Sequence, residues 1–164
     1  MHSDQFSRLR TIAISVIVLG AVLLALPLAR MSDAPGKAIY ADYDAAVRGG
    51  AVRLGFIPPI VPHSATDIRE MHDEKGTARW LSFNVAAPDA EYLRTTLVPI
   101  EEQEAIAAFP RPPKGGAWWP RVIPADAEGD VHAYRVTEPG SPPMCLTIAY
   151  DTQPRVLLWT CGQS

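Results

Sequence analysis

The sequence has little cysteine, no cluster of positive charge and no familiar catalytic motif. Its two cysteines exclude a four-cysteine zinc site, and their spacing excludes a C-x-x-C redox pair. The 15 Lys and Arg residues are scattered among 18 acidic residues, so a net charge of −3 argues against a nucleic-acid partner. Neither G-x-S-x-G nor H-E-x-x-H occurs. We therefore expect no catalytic residue, no metal and no cofactor.

One uncharged stretch, residues 11–29, has the length of a membrane span. Its nineteen residues, at about 1.5 Å each in a helix, nearly cross a hydrocarbon core of about 30 Å. A cleaved signal peptide is the alternative, but Pro27 stands at the −3 position for cleavage after Ala29, which is a poor match. The sequence therefore predicts cytoplasmic residues 1–10, an uncleaved transmembrane helix over 11–29 and a linker over 30–38.

The two cysteines, Cys145 and Cys161, flank a predicted β-hairpin centred on Gln153. In that register Ile148 faces Leu158, and the two cysteines face each other. Opposed strand residues have Cα atoms about 4.5–5.5 Å apart, and a disulfide accepts about 4.4–6.8 Å. Two buried free thiols are the alternative. Because disulfides persist in oxidising compartments, the bridge predicts a periplasmic C-terminal domain held at the inner membrane.

Beyond the linker, residues 39–164 are predicted to form one small α+β domain with a mostly antiparallel sheet. Alternation of apolar and polar residues predicts strands, and Asp or Pro before an apolar stripe predicts the start of a helix. About five strands and two or three short helices result. The predicted helix starts are Asp42, Pro88 and Pro99; the predicted strands are an edge at 54–57, then 67–73, 79–85 and 132–136, and the C-terminal hairpin.

Residues 62–80 contain two histidines and several carboxylates, which makes them the first candidate for a functional site. The possible metal ligands are His63, Asp67, His72 and Asp73, and their spacing matches no familiar metal site. Ser64 lies beside His63 and Asp67, but residues adjacent in sequence seldom converge as a catalytic triad. We keep Asp67 and His72 as candidate ligand-binding residues.

The same stretch also has the pattern of a β-hairpin, which is the favoured interpretation. Residues 64–67 have the Ser/Thr-x-x-Asp/Glu form that caps a helical turn. Residues 67–73 alternate as a strand, and 74–77 supply a turn in which Gly76 takes positive φ. The histidines and carboxylates would then be turn residues and exposed strand positions.

Trp118 and Trp119 form the second candidate site, inside a proline-rich loop. Exposed aromatic side chains stack on sugars or on peptide prolines. More often, a pair of tryptophans in such a loop packs the loop onto the sheet, since each side chain buries a large apolar area. Core packing is the favoured interpretation, and a ligand platform is the alternative.

The segment GFIPPIVPHSATDI, followed by His72-Asp73 and by Trp80-x-x-Phe83, resembles a pattern in small bacterial envelope proteins with a YbbD-type head domain. The resemblance covers residues 43–85, and it departs from the pattern at Val61 and at Lys75-Gly76. It implies an envelope location and no activity.

Together these features predict a non-enzymatic binding module of the bacterial envelope, anchored in the inner membrane, with another envelope protein as a candidate partner. The alternative is an envelope hydrolase or a small-ligand sensor that uses Asp67, His72 and the loop of Trp118 and Trp119.

Overall fold

A computed structural model of the protein describes residues 36–111, 114–138, 142–149 and 153–161. The predicted transmembrane helix at 11–29 lies outside them, and no helix in the described part is long and apolar enough to cross a bilayer. The strands are β1 (Lys37–Asp42), β2 (Thr66–His72), β3 (Arg79–Asn84), β4 (Val98–Ile100), β5 (Ala133–Val136), β6 (Met144–Ala149) and β7 (Arg155–Thr160); the helices are α1 (Tyr43–Arg48), α2 (Ala87–Thr96) and α3 (Glu102–Ala108).

The seven described strands form one sheet in the order β1-β2-β3-β7-β6-β5-β4, and every neighbouring pair is antiparallel. The C-terminal strand β7 enters the middle of the sheet, between β3 and β6. The predicted antiparallel sheet with a few helices is therefore confirmed, and β1 and β4 are the described strands that the sequence did not predict. The edge strand β1 overlaps the last two residues assigned to the linker, Lys37 and Ala38.

The sheet has two faces of different chemistry because side chains alternate along each strand. We call one the aliphatic face; its centre is Ile68, Leu81, Phe83, Leu146 and Leu158, covered by α1, α2 and the segment 50–65. We call the other the tryptophan face; its centre is Trp80, Cys145, Leu157 and Trp159, covered by α3 and the segment 109–131. The alternation of β3 predicted from sequence is confirmed by this division.

Short local signals start and stop the first helix, which begins after Asp42 as the sequence predicts. The Asp42 side chain accepts the N–H of Ala45 at 2.7 Å, which satisfies one of the free donors at the helix start. Gly49 ends the helix, where its own N–H donates to the Ala45 carbonyl at 2.9 Å. The helix thereby holds Tyr43 and Ala46 against the aliphatic face.

The C-terminal hairpin contains the predicted disulfide but in a different register. Cys145 opposes Trp159 and Ile148 opposes Val156, so the predicted pairing of Ile148 with Leu158 was wrong by two residues. The shift of two keeps every side chain on its face, and Cys161 lies beyond the end of β7 on the same side as Cys145. Their Cα atoms are 5.5 Å apart, and the disulfide is formed.

Three further local predictions differ from the structure. Residues 54–57 form turns and no strand, since Gly55 takes a φ of 75°. Pro99 lies in β4, and its helix begins three residues later at Glu102. Residues 64–67 cap no helix: β2 begins at Thr66, where Asp67 (φ 45°) lies at a β-bulge.

Candidate functional site

A cavity of about 270 Å³ opens on the aliphatic face, between the strands and the segment that covers them. Its apolar wall is Val52, Ile57 and Met144, and three prolines form part of the lining. Proline fixes φ, so these walls are stiff before anything binds. The volume is just below the range of about 300–1,000 Å³ typical of sites for drug-sized ligands, so the cavity suits a smaller molecule.

Three polar side chains line this cavity without using their full hydrogen-bonding capacity. Tyr43 is 8% exposed, and its hydroxyl has no hydrogen-bond partner among the described residues. Glu138 likewise has no hydrogen bond or ion pair there. Arg79 does not form an ion pair with Glu138, although both line the cavity. Arg79 and Glu138 are partly exposed, and none of the three is among the fully buried polar groups without a hydrogen bond, so water satisfies them in the free protein and a ligand would have to replace that water.

Arg79 is held in place by two glycine carbonyls. Its Nη1 donates to the Gly55 carbonyl, and its Nε donates to the Gly76 carbonyl at 3.3 Å. Both glycines have positive φ, at 75° and 68°, a conformation that other residues rarely adopt. A guanidinium has five N–H donors, and Nη2 has no partner among the described residues. The two hydrogen bonds therefore hold the guanidinium in one position and leave the N–H groups of Nη2 without a partner among the described residues.

A buried carboxylate, Glu70, lies on the aliphatic face near Arg79. It is 2% exposed, and its Oε1 is 2.6 Å from Nδ1 of His72. Burial raises the pKa of Glu70 above its usual value, and the hydrogen bond and charge of His72 and the charge of Arg79 oppose this effect. The expectation that these positions would be exposed is wrong for Glu70, because β2 lies between β1 and β3 in the sheet and the segment 50–65 covers the face on which Glu70 lies.

The ring of His72 is enclosed on both sides. Phe56 stacks on it with ring centroids 4.0 Å apart. A Cβ at Gly36 would lie 2.0 Å from Cε1 and 2.1 Å from Nε2, so only glycine fits against the ring there. With Nδ1 facing Glu70 and Nε2 facing Gly36, neither nitrogen is placed to serve a substrate. The pair of Glu70 and His72 is therefore a structural element beside the cavity.

Asp67 lies on the other side of the sheet from His72. Its carboxylate contacts Arg69 at 3.1 Å and Arg155 at 3.4 Å. Arg155 is opposite Asn84, and its Nε donates to the Asn84 side chain at 3.2 Å. This polar group sits at the end of β3 and β7 that is remote from Trp80 and Trp159. The structure therefore does not bring Asp67 and His72 together.

The two loop tryptophans differ in burial. Trp119 is 2% exposed, and its Nε1 donates to the Pro110 carbonyl at 3.2 Å. Its ring stacks on Phe109 at 5.3 Å and meets Trp159 edge-to-face at 6.3 Å. Trp118 is half-buried and packs edge-to-face on Trp119 at 5.8 Å. Trp119 is thus part of the core, and the four sequence candidates do not share one cleft.

The acidic loop before β5 places Asp126, Glu128 and Asp130 with carboxylate oxygens within 4.8 Å of one another. Asp126 Oδ1 accepts the N–H groups of Glu128 and Asp130, each at 2.9 Å. Its Oδ2 lies 2.9 Å from His132 Nε2. The backbone hydrogen bond from Asp130, followed by that of His132, lowers the pKa of Asp126. These bonds describe a closed turn, which accounts for the cluster without a ligand.

Arg79, Tyr43 and Glu138 were not identified from sequence. One signal was present: Arg79 shares its strand face with Leu81 and Phe83. A charged residue on an otherwise apolar face needs a partner or a function. Glu138 carried no such signal, because the tertiary fold alone brings it to the cavity.

Comparison with known proteins agrees with the resemblance seen in the sequence. The family model described as the YbbD head domain matches residues 37–84. No curated protein and no solved structure matches the chain significantly. The matched segment runs from β1 to the end of β3 and includes Tyr43 and Arg79, whereas Glu138 and Met144 lie outside it. Over less than a third of its length, this chain is therefore similar to the YbbD head domain, a match that itself brings no function.

Proposed function

We propose that this protein is a non-enzymatic binding module of the bacterial envelope, and that it binds a small ligand in the cavity of the aliphatic face. The proposal rests on three polar side chains that line the cavity beside its apolar wall: Tyr43, Arg79 and Glu138. Each has hydrogen-bonding groups that bind no described residue. A few placed polar groups in a mostly apolar concavity are the usual composition of a ligand site.

The location in this proposal comes from the sequence and from the disulfide. The uncharged residues 11–29 would anchor the chain in the inner membrane. The bridge between Cys145 and Cys161 fits an oxidising periplasm. A thiol reagent should label the denatured protein only after treatment with a reductant, because the two cysteines are joined to each other and buried in the fold. Labelling without reductant would contradict the disulfide. In spheroplasts, added protease should digest the C-terminal domain, and protection of that domain would contradict the periplasmic location.

The binding function is tested on residues 35–164, which form a compact unit by themselves and contain both hydrophobic clusters. Thermal unfolding is followed with a panel of small carboxylates, amines and amino acids at millimolar concentration. A ligand that binds only the folded state raises the unfolding temperature. We expect at least one compound to stabilise the wild type and to lose this effect in Arg79→Met.

Two matched variants separate binding from general stability. Arg121→Met removes an exposed guanidinium on the opposite face and should keep the ligand effect. Tyr43→Phe keeps the ring that stacks on His63 at 4.3 Å but removes the hydroxyl, so it should weaken binding while leaving the fold intact. If no compound stabilises the wild type, or if Arg79→Met and Arg121→Met respond equally, the cavity is not the binding site.

A further inference from the structure

The cavity contains a cation and an anion that do not neutralise each other. Arg79 and Glu138 both line it, and neither forms an ion pair with the other or with a described residue, although the charge of Arg79 also acts on the buried carboxyl group of Glu70. A ligand with only a carboxylate would satisfy Arg79 and meet repulsion from Glu138. A ligand with only an ammonium group would have the reverse problem. A partly enclosed site strengthens both effects, because fewer waters screen the charges.

From this arrangement we infer that the ligand is a zwitterion, a free α-amino acid with an aliphatic side chain. Arg79 Nη2 binds its carboxylate, since a planar guanidinium is suited to that group. Glu138 accepts hydrogen bonds from the ammonium group, and the Tyr43 hydroxyl is an additional donor for the carboxylate. The inference rests on the proposed binding function and names the ligand class of the same cavity.

The rest of the lining determines the side chain. Val52, Ile57 and Met144 offer apolar surface and no further charge, so a branched aliphatic group gains from burial there. The cavity of about 270 Å³ accommodates a single residue. Both charged groups of an α-amino acid branch from one carbon atom, which leaves the side chain free to point at this apolar wall.

The test is isothermal titration calorimetry on residues 35–164 with three compounds that share one branched aliphatic side chain. L-leucine carries both charges, 4-methylpentanoate lacks the ammonium group, and 3-methylbutylamine lacks the carboxylate. We expect leucine to bind at least about tenfold more tightly than either analogue, because a charged hydrogen bond contributes about that factor.

Two variants assign each charge to its partner. Arg79→Met should lower the affinity for leucine and for 4-methylpentanoate about tenfold and leave the affinity for 3-methylbutylamine unchanged. Glu138→Gln should lower the affinity for leucine and for 3-methylbutylamine. The affinity for 4-methylpentanoate should be unchanged or higher. Glu74→Gln, at an exposed turn, is the matched control and should change none of the three affinities.

The outcomes distinguish this inference from the proposed function. Equal affinities for leucine and 4-methylpentanoate, or an unchanged leucine affinity in Glu138→Gln, would overturn the inference that the ligand is a zwitterion. The cavity would then remain a binding site for carboxylates. Binding of none of the three, while another compound of the panel stabilises the wild type through Arg79, would also overturn it. If no compound of the panel binds, the proposed function fails together with the inference.

Discussion

The two faces of the sheet are covered in different ways. On the tryptophan face, Trp119, Trp159 and Phe109 pack ring against ring, and a disulfide ties the hairpin beside them. On the aliphatic face, turns with glycine and proline lie over the strands and leave a cavity with charged groups in its lining. The aliphatic cluster is the larger of the two described, so both faces stabilise the fold, and in the function proposed above only the aliphatic face also offers a place to bind.

The largest loss of stability should come from removing a large side chain from the tryptophan face. Trp159 is fully buried, and its Nε1 donates to the Ala108 carbonyl at 2.9 Å. Trp159→Ala should lower the free energy of unfolding by about 3–5 kcal/mol, since it leaves a large void in a packed core. Denaturant titration measures the loss. Trp118→Ala, at a half-buried ring, is the control; an equal loss in both variants would contradict the described packing.

Removing the disulfide tests the second support of the same face. The double variant Cys145→Ser/Cys161→Ser opens a bridge with a sequence separation of 16, which should cost about 3 kcal/mol in the chain-entropy model. Thermal melts of this variant and of the wild type, with and without reductant, give the comparison. Reductant should lower the wild-type melting temperature and leave the variant unchanged. An unchanged wild type would show that the bridge adds no stability.

A smaller effect is expected at the helix that carries Tyr43 to the aliphatic face. Asp42→Ala removes the N-cap hydrogen bond to Ala45 and should cost about 1 kcal/mol. Asp42→Ser keeps a capping oxygen and should restore most of the stability. Denaturant titration measures both variants. If Asp42→Ser were as unstable as Asp42→Ala, the cap would not be the source of the effect.

The smallest effect is the pH dependence of the free energy of unfolding that the ionisation of Glu70 causes. Because its pKa is raised in the folded state, its contribution to stability is complete below the usual glutamate pKa of about 4.3. That contribution is lost as the pH rises through the folded-state pKa. Glu70→Gln cannot ionise, so its stability relative to the wild type should improve as the pH rises.

Unfolding free energies across acidic to neutral pH measure this difference between Glu70→Gln and the wild type. The exposed Glu102→Gln should give a profile parallel to that of the wild type. A parallel profile for Glu70→Gln as well would show that the carboxyl group is not held in the environment described.

The predictability of the fold varied with the range of the interactions involved. Local signals were sufficient for α1, with its Asp42 cap, and for the turn at Gly76, whose φ is 68°. The alternation of apolar and polar residues along β3 correctly predicted which of its side chains lie on each face of the sheet. The hairpin register was missed by two residues because face parity is unchanged by a shift of two.

The candidate site was harder to predict, because its residues come from distant parts of the chain. Glu70 looked like an exposed strand residue, yet it is 2% exposed, on the face that the segment 50–65 covers. Arg79 and Glu138 come to the same cavity only through the tertiary fold, since Arg79 lies on β3 and Glu138 follows β5. Sequence motifs drew attention to Asp67, His72 and the tryptophans instead, which the fold places in separate surroundings.

The most direct test of the division between the faces is a map of amide chemical shifts in isotope-labelled residues 35–164 during titration with L-leucine. We predict saturable shifts around the cavity, at Gly55, Ile57, Arg79 and Met144, with the amides of Trp118 and Trp119 unmoved. Shifts centred on the two tryptophans, or no saturable shift in the domain, would contradict it.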